Sequence, residues 1–152
     1  MKHIIQWNIN GFFTHYEQLQ ILLKQYDPII LCLQETNFKK HQHPGLKKYT
    51  TFSKNRNCED QASGEVFIAV SEQFDAFEIL LITDFEAIAV TVQLPNKIHL
   101  CNIYLPNSQT LNLVDLEILI NQLPTAFILL GDLNSHHYLW GSYKVDSRGE
   151  NI

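Results

Sequence analysis

AFILLGDLNSHHYLWGS, residues 126–142, is the stretch whose reading decides the fold. Residues 126–130 form an unbroken apolar run with turn chemistry directly behind it, the pattern of a buried strand that stops at Gly131. Asp132 and Asn134 then fall just past the strand's carboxyl end. Open α/β sheets place their ligands there, because the loops leaving the strand tips hold polar groups over a rigid floor. Taken alone, Gly-Asp-x-Asn reads equally well as an Asx-rich turn that ends a strand for local reasons. The remainder of the chain has to decide between the two.

Upstream of this strand, residues 111–123 carry Leu113, Leu116, Leu119, Ile120 and Leu123 on one face, so an amphipathic helix is expected, stopped by Pro124. Before the helix, EAIAVTVQLPNKIHLCNIY places strands at 87–94 and 98–104 around a Pro95-Asn96 turn. The second of these ends at Tyr104. Further strands are expected at 49–53, 66–70 and 77–82, with Gly64 relieving crowding where the second of them begins.

The first forty residues have a different rhythm. Residues 3–9, HIIQWNI, form a strand that ends near Asn8 and the Asn10-Gly11 turn. Residues 14–26 carry Tyr16, Leu19, Leu22, Leu23 and Tyr26 at helical spacing, and Thr14 with Glu17 fits a capping box. Asp27-Pro28 ends that helix, and IILCL at 29–33 forms a second strand with Glu35 at its tip. Strand, helix, strand at this spacing is a βαβ unit, so Asn8 and Glu35 should emerge at one edge of a parallel pair.

Length and composition fix the class. A chain of 152 residues, 45% hydrophobic, is one domain at most, able to bury roughly 70% of the surface it exposes when unfolded. No apolar run reaches membrane-spanning length, and MKHIIQWNI lacks the pattern of a secretory leader, so a soluble intracellular protein is expected. Cys32, Cys58 and Cys101 form no Cys-x-x-Cys pair, and no disulfide or zinc site is assigned. The net charge of −5 argues against a basic nucleic-acid coat. Even so, Lys39, Lys40, Lys47, Lys48, Lys54 and Arg56 put six of the eleven basic residues into one segment, read first as a solvated loop. His136 and His137 are adjacent, point in different directions and lack a spaced partner motif for zinc.

Singly, Glu35 reads as a solvated acid, Asn8 and Asn134 as turn formers, and Tyr104 as a rim aromatic. As an ordered set on four strand tips they are specific: Asn8 in WNING, Glu35 in QETNF, Tyr104 in NIYLPN, Asp132 and Asn134 in GDLNSHHYLWGS. The chain thereby resembles the endonuclease/exonuclease/phosphatase superfamily, and within it the apurinic-endonuclease-like domain of jockey-type non-LTR retrotransposons. Trp140-Gly141-Ser142 and Asp146-Ser147-Arg148-Gly149 strengthen the match to that branch, and the resemblance covers essentially the whole chain.

The resemblance implies a four-layer α/β/β/α sandwich spanning residues 1–152 as a single domain. It implies metal-dependent phosphodiester hydrolysis with Mg²⁺ or Mn²⁺ as cofactor, DNA as substrate, and a reverse transcriptase domain in the same polyprotein as partner. The action would be nuclear on chromosomal DNA and the protein otherwise cytoplasmic, with oligomeric state left open. By the same resemblance Glu35, assisted by Asn8, holds the metal. Asp132 activates the attacking water, Asn134 and Tyr104 hold the phosphate, and His136 stands near the substrate. Trp140 itself reads as a packing residue under the site rather than a base-stacking one.

The family pattern runs on to a Ser-Asp-His segment that has no match here, so the resemblance implies a domain lacking its carboxyl-terminal part and inactive in this form. A sheet face left bare costs about 1.5 to 3 kcal/mol per large side chain, against net stabilities of roughly 5 to 15 kcal/mol. Poor stability or aggregation is the expectation. A non-catalytic binding piece, or a phosphodiesterase of another superfamily branch, are the alternatives.

Overall fold

The computed structural model describes residues 3–39, 42, 44–54 and 66–152. The readings for Lys40, Arg56, Cys58 and Gly64 lie outside these residues. The first sheet is built from β1 (Ile4–Asn8), β2 (Ile30–Gln34), β3 (Tyr49–Lys54) and β4 (Val66–Ser71) in the order β1-β2-β4-β3. β1 and β2 are parallel, with Asn8 opposite Gln34, and α1 (Tyr16–Tyr26) makes the crossover. The second sheet holds β5 (Ala76–Ile79), β6 (Glu86–Val92), β7 (Ile98–Tyr104) and β8 (Phe127–Asp132) in sequence order. β5, β6 and β7 are antiparallel neighbours, whereas β7 and β8 are parallel and joined through α2 (Leu113–Asn121).

Strand alternation sorts the apolar residues into three layers of core. On β2, Leu31 and Leu33 face Leu19 of α1 together with Phe12, Phe38 and Phe67. Ile30 and Cys32, on the opposite face, meet Ile68 and Val70 and, across the sandwich, Ile88, Val90 and Leu100. On the far side Ala87, Ala89, Cys101 and Ile103 pack under Leu119 and Leu123. This is the α/β/β/α arrangement expected from the resemblance. It explains why IILCL and EAIAV read as continuous apolar runs: both faces of those strands are covered. Among the described residues Cys32 and Cys101 are buried free thiols.

Four local expectations need correction. The helix expected from Thr14 begins at Tyr16 with His15 as its cap, and no side chain caps it. Residues 9–12 are held to the other strand tip by bonds from the Ile9, Gly11 and Phe12 amides to the Gln34, Glu35 and Thr36 carbonyls, and residues 12–15 form a turn before the helix. The second helix is shorter than 111–123, because the Asn112 side chain caps it by accepting from the Val114 amide. β5 ends at Ile79, and Ile82 leaves the sheet to exchange two hydrogen bonds with the Gln122 side chain.

The fourth correction matters for the site. β8 does not stop at Gly131: it continues to Asp132, which pairs with Tyr104. Gly131 has φ 146°, and a Cβ there would lie 1.8 Å from the Ile103 carbonyl oxygen, so only glycine lets β8 run on beside β7.

Candidate active site

The five strand-tip residues singled out in the sequence converge. Asn8 is the last residue of β1, Glu35 follows β2, Tyr104 ends β7, Asp132 ends β8, and Asn134 stands two residues on. Because the two sheets pack face to face with β1 over β8, the tips of both reach the same end of the sandwich. Two of the residues hold left-handed backbone, Glu35 at φ 52° and Asn134 at φ 47°. Such conformations are uncommon outside glycine and turn the chain sharply at a strand tip.

One amide joins the sheets at this point. Asn8 Nδ2 donates to Glu35 Oε1 at 2.8 Å and to Asp132 Oδ2 at 2.7 Å. Carboxylates that follow or end strands of different sheets are thereby held together, with no bonded cation side chain between them among the described residues. Asp132 Oδ1 accepts the Asn134 amide at 2.9 Å, and Asn134 Nδ2 donates to the Leu105 carbonyl at 3.1 Å. Tyr104 is nearly buried. Its hydroxyl is pushed up to about 12, first by burial, then by the hydrogen bond and charge of Glu35 and the charge of Asp132, with Asn134 pulling the other way. It is a proton donor throughout the neutral range.

Asn8 Oδ1 is buried and has no hydrogen-bond partner among the described residues. An orphaned buried carbonyl is costly, and a bound cation is one way to satisfy it. With the Glu35 carboxylate beside it, the donor set is oxygen only, which suits a hard divalent ion that binds through one or two carboxylates and keeps its remaining positions for water and phosphate. Among the described residues no group of three or more His, Cys, Asp or Glu side chains gathers into a metal cluster.

His136 stands beside Asp132 and Asn134 on the wall of a cleft of about 440 Å³ that Trp140 also lines. Its Nδ1 pairs with Asp146 Oδ2 at 2.7 Å. Asp146 is held down to about 2, chiefly by the Gly149 amide and then by the side chain and amide of His136. His137 caps the short 3₁₀ turn over Tyr138–Trp140 by accepting from the Leu139 amide. Trp140 is 46% exposed, its Nε1 donating to the Ser135 carbonyl, and so is not the packing residue under the site that was expected. The 3₁₀ turn carries its ring to the cleft wall instead.

Two features went unassigned in the sequence. The Asp146–Gly149 motif was visible but without a role. An amide ladder beneath the site, buried at Gln34 and Asn102, was not visible at all: Gln6 Nε2 donates to Gln34 Oε1, Gln34 Nε2 to Asn102 Oδ1, and Asn102 Nδ2 to the Leu33 and Phe67 carbonyls. Its only signal was a Gln and an Asn inside otherwise apolar strands.

Known proteins share this fold. A family model described as the Endonuclease/Exonuclease/phosphatase family matches residues 5–152. A probable RNA-directed DNA polymerase from transposon X-element of Drosophila melanogaster is 24% identical over 149 residues, covering 96% of this chain and 16% of that protein. Among solved structures, the endonuclease domain of TRAS1, a telomere-specific non-LTR retrotransposon, superposes with a TM-score of 0.71 at 19% identity, over 96% of this chain and 65% of that one. An AP endonuclease from Archaeoglobus fulgidus gives 0.66 at 19% identity, over 86% and 57%. This chain thus spans about a sixth of the transposon protein and under two thirds of the structural relatives.

Proposed function

The chain belongs to the endonuclease/exonuclease/phosphatase family, and from that premise we propose that its strand-tip site hydrolyses a phosphodiester bond of DNA. Cutting one strand to leave a 3′-hydroxyl would prime a reverse transcriptase carried on the same polyprotein, as the names of the transposon relatives suggest. Residues 1–152 form part of a single nuclease domain, which acts in the nucleus when its target is chromosomal. The observation that carries the reading is the Asn8 amide clasping Glu35 and Asp132 across the two sheets.

Each residue has one task in this reading. Glu35 and the buried Asn8 carbonyl oxygen hold Mg²⁺ or Mn²⁺, and the bound ion supplies charge neutralisation and polarisation of the phosphate. Asp132, its two oxygens fixed by the Asn8 and Asn134 N–H groups, is aligned to orient a water and take its proton. Asn134, tied back to Leu105, keeps Asp132 in register and faces the phosphate. Tyr104, held protonated, donates to a phosphate oxygen as negative charge grows there. His136, fixed through Nδ1 by Asp146, borders the substrate cleft. Phosphoryl transfer leaves the protein mainly positioning and electrostatics to supply, and these residues supply both.

Nicking of supercoiled plasmid, in Mg²⁺ and in EDTA, tests the proposal with this chain beside a longer form carrying the rest of the domain. Metal-dependent nicking by the longer form, abolished by Asp132→Asn while DNA affinity is kept, is the expected result. A longer form that leaves the plasmid intact in both Mg²⁺ and Mn²⁺ overturns it.

A further inference from the structure

The segment 146–149 is tied down more heavily than a five-residue helix requires. α3 (Ser147–Asn151) is capped by Asp146, whose Oδ1 accepts the Gly149 amide at 2.7 Å and the His136 amide at 3.2 Å. Gly149 presses so close that a Cβ would lie 2.0 Å from the His136 carbonyl oxygen. Those contacts seat Arg148, which points its guanidinium at five backbone carbonyls. Nη1 donates to Leu133 at 2.8 Å, Asn134 at 3.2 Å and Leu105 at 3.4 Å, and Nη2 to Pro106 at 3.1 Å and to Gln109.

Those carbonyls belong to two loops. Residues 105–109 follow Tyr104 and residues 133–134 follow Asp132, so one planar fork clamps the exits of β7 and β8 together. The loops are also joined directly, by Leu105 N to Asp132 O at 2.9 Å and by Asn134 Nδ2 to Leu105 O at 3.1 Å. A cation this close to a phosphodiester site would ordinarily be read as a phosphate ligand. Here its Nη hydrogens are already directed at carbonyls.

We infer that Arg148 is a positioning residue: it acts by clamping the two loops that set Tyr104, Asp132 and Asn134 against one another, and not by binding phosphate. The inference rests on the function proposed above. Lysine keeps the charge but is a compact donor that cannot bridge five carbonyls across two loops. Clamp and phosphate ligand therefore differ in what lysine rescues.

The test uses the full-length protein with Arg148→Lys and Arg148→Ala. Misplacement of about 1 Å at a reacting centre costs about 100-fold, so both variants are expected to lose about that factor in kcat for nicking. KM and the salt dependence of DNA binding should be unchanged, and free guanidinium should partly restore the alanine variant. Amide exchange at Leu105 and Asn134 should quicken about tenfold or more in both. If lysine retains activity, or if KM rises while the salt slope falls by about 1, as for a lost phosphate contact, the inference is overturned. Should the unsubstituted protein not nick DNA, the nuclease reading fails by itself, and the clamp is decided by exchange at Leu105 and Asn134: unaltered protection in both variants overturns it. The lysine variant serves throughout if the alanine variant does not fold.

Discussion

The Asp146 carboxyl is lowered from its ordinary value to about 2 by the Gly149 amide, then by His136. A carboxyl with a depressed folded-state value contributes stability above its unfolded value and loses it as pH falls through the folded one. Asp146→Asn is therefore expected to lower stability at pH 7, with the difference from the parent shrinking between about 3.8 and about 2 and absent below. Urea unfolding across that range checks it, and a difference that persists undiminished at pH 2 would count against it. Glu35 makes a second case. Glu35→Gln keeps an acceptor for Asn8 but removes the charge, so Mg²⁺ affinity, read by calorimetry in the full-length protein, should fall by tenfold or more while the fold is retained. Asn8, Glu35, Tyr104, Asp132 and Asn134 were all legible in the sequence because each follows an apolar run that announces a strand tip. Arg148 was not assignable, because what it binds is backbone carbonyls, and a carbonyl leaves no trace in a sequence.

At the scale of elements, the site depends on how β7 and β8 lie against each other and how the second sheet sits on the first. Gly131 controls the former. Gly131→Ala would drive a methyl group into the Ile103 carbonyl at a backbone angle that side chains rarely adopt. The expected cost is above about 4 kcal/mol, the range of the most damaging single changes, seen as loss of a cooperative melt. The amide ladder controls the latter, because Asn102 of β7 bonds Gln34 at the end of β2 and the carbonyls of Leu33 and Phe67. Asn102→Leu leaves those buried groups unpaired, at about 1 to 3 kcal/mol for each one left unsatisfied. Strands and helices were readable as elements because their apolar periods are strong, but their ends were not. Thr14 and Glu17 have the spacing of a capping box, yet Thr14 lies in a turn over residues 12–15 that follows a stretch bonded to residues 34–36. A tertiary contact overrode a local preference, as one did at Asp132, where pairing with Tyr104 extended β8 past a glycine that reads as a stop.

On the scale of the molecule, β1 and β8 end their sheets on the same flank, and among the described residues neither has a partner on its outer side. The four layers could be inferred from the sequence through family resemblance and not from pattern, since periodicity gives the faces of a strand but not which sheet it joins. The open flank has its own consequence. β8 is an edge strand whose Ile128 is 39% exposed, and unpaired strand edges with apolar side chains are templates for pairing with another chain. In the 152-residue form, self-association through this flank is expected at concentrations where a closed sandwich would remain monomeric. A lysine at an edge opposes such pairing by placing a charge where the second strand would dock. Ile128→Lys should therefore slow aggregation, followed by light scattering, with little change in circular dichroism. The same change at Ile118, which is 52% exposed on α2 and away from any sheet edge, should have no such effect. Equal slowing by both substitutions would mean that net charge and not edge pairing governs solubility, and a parent chain that stays monomeric would mean that the flank is already protected.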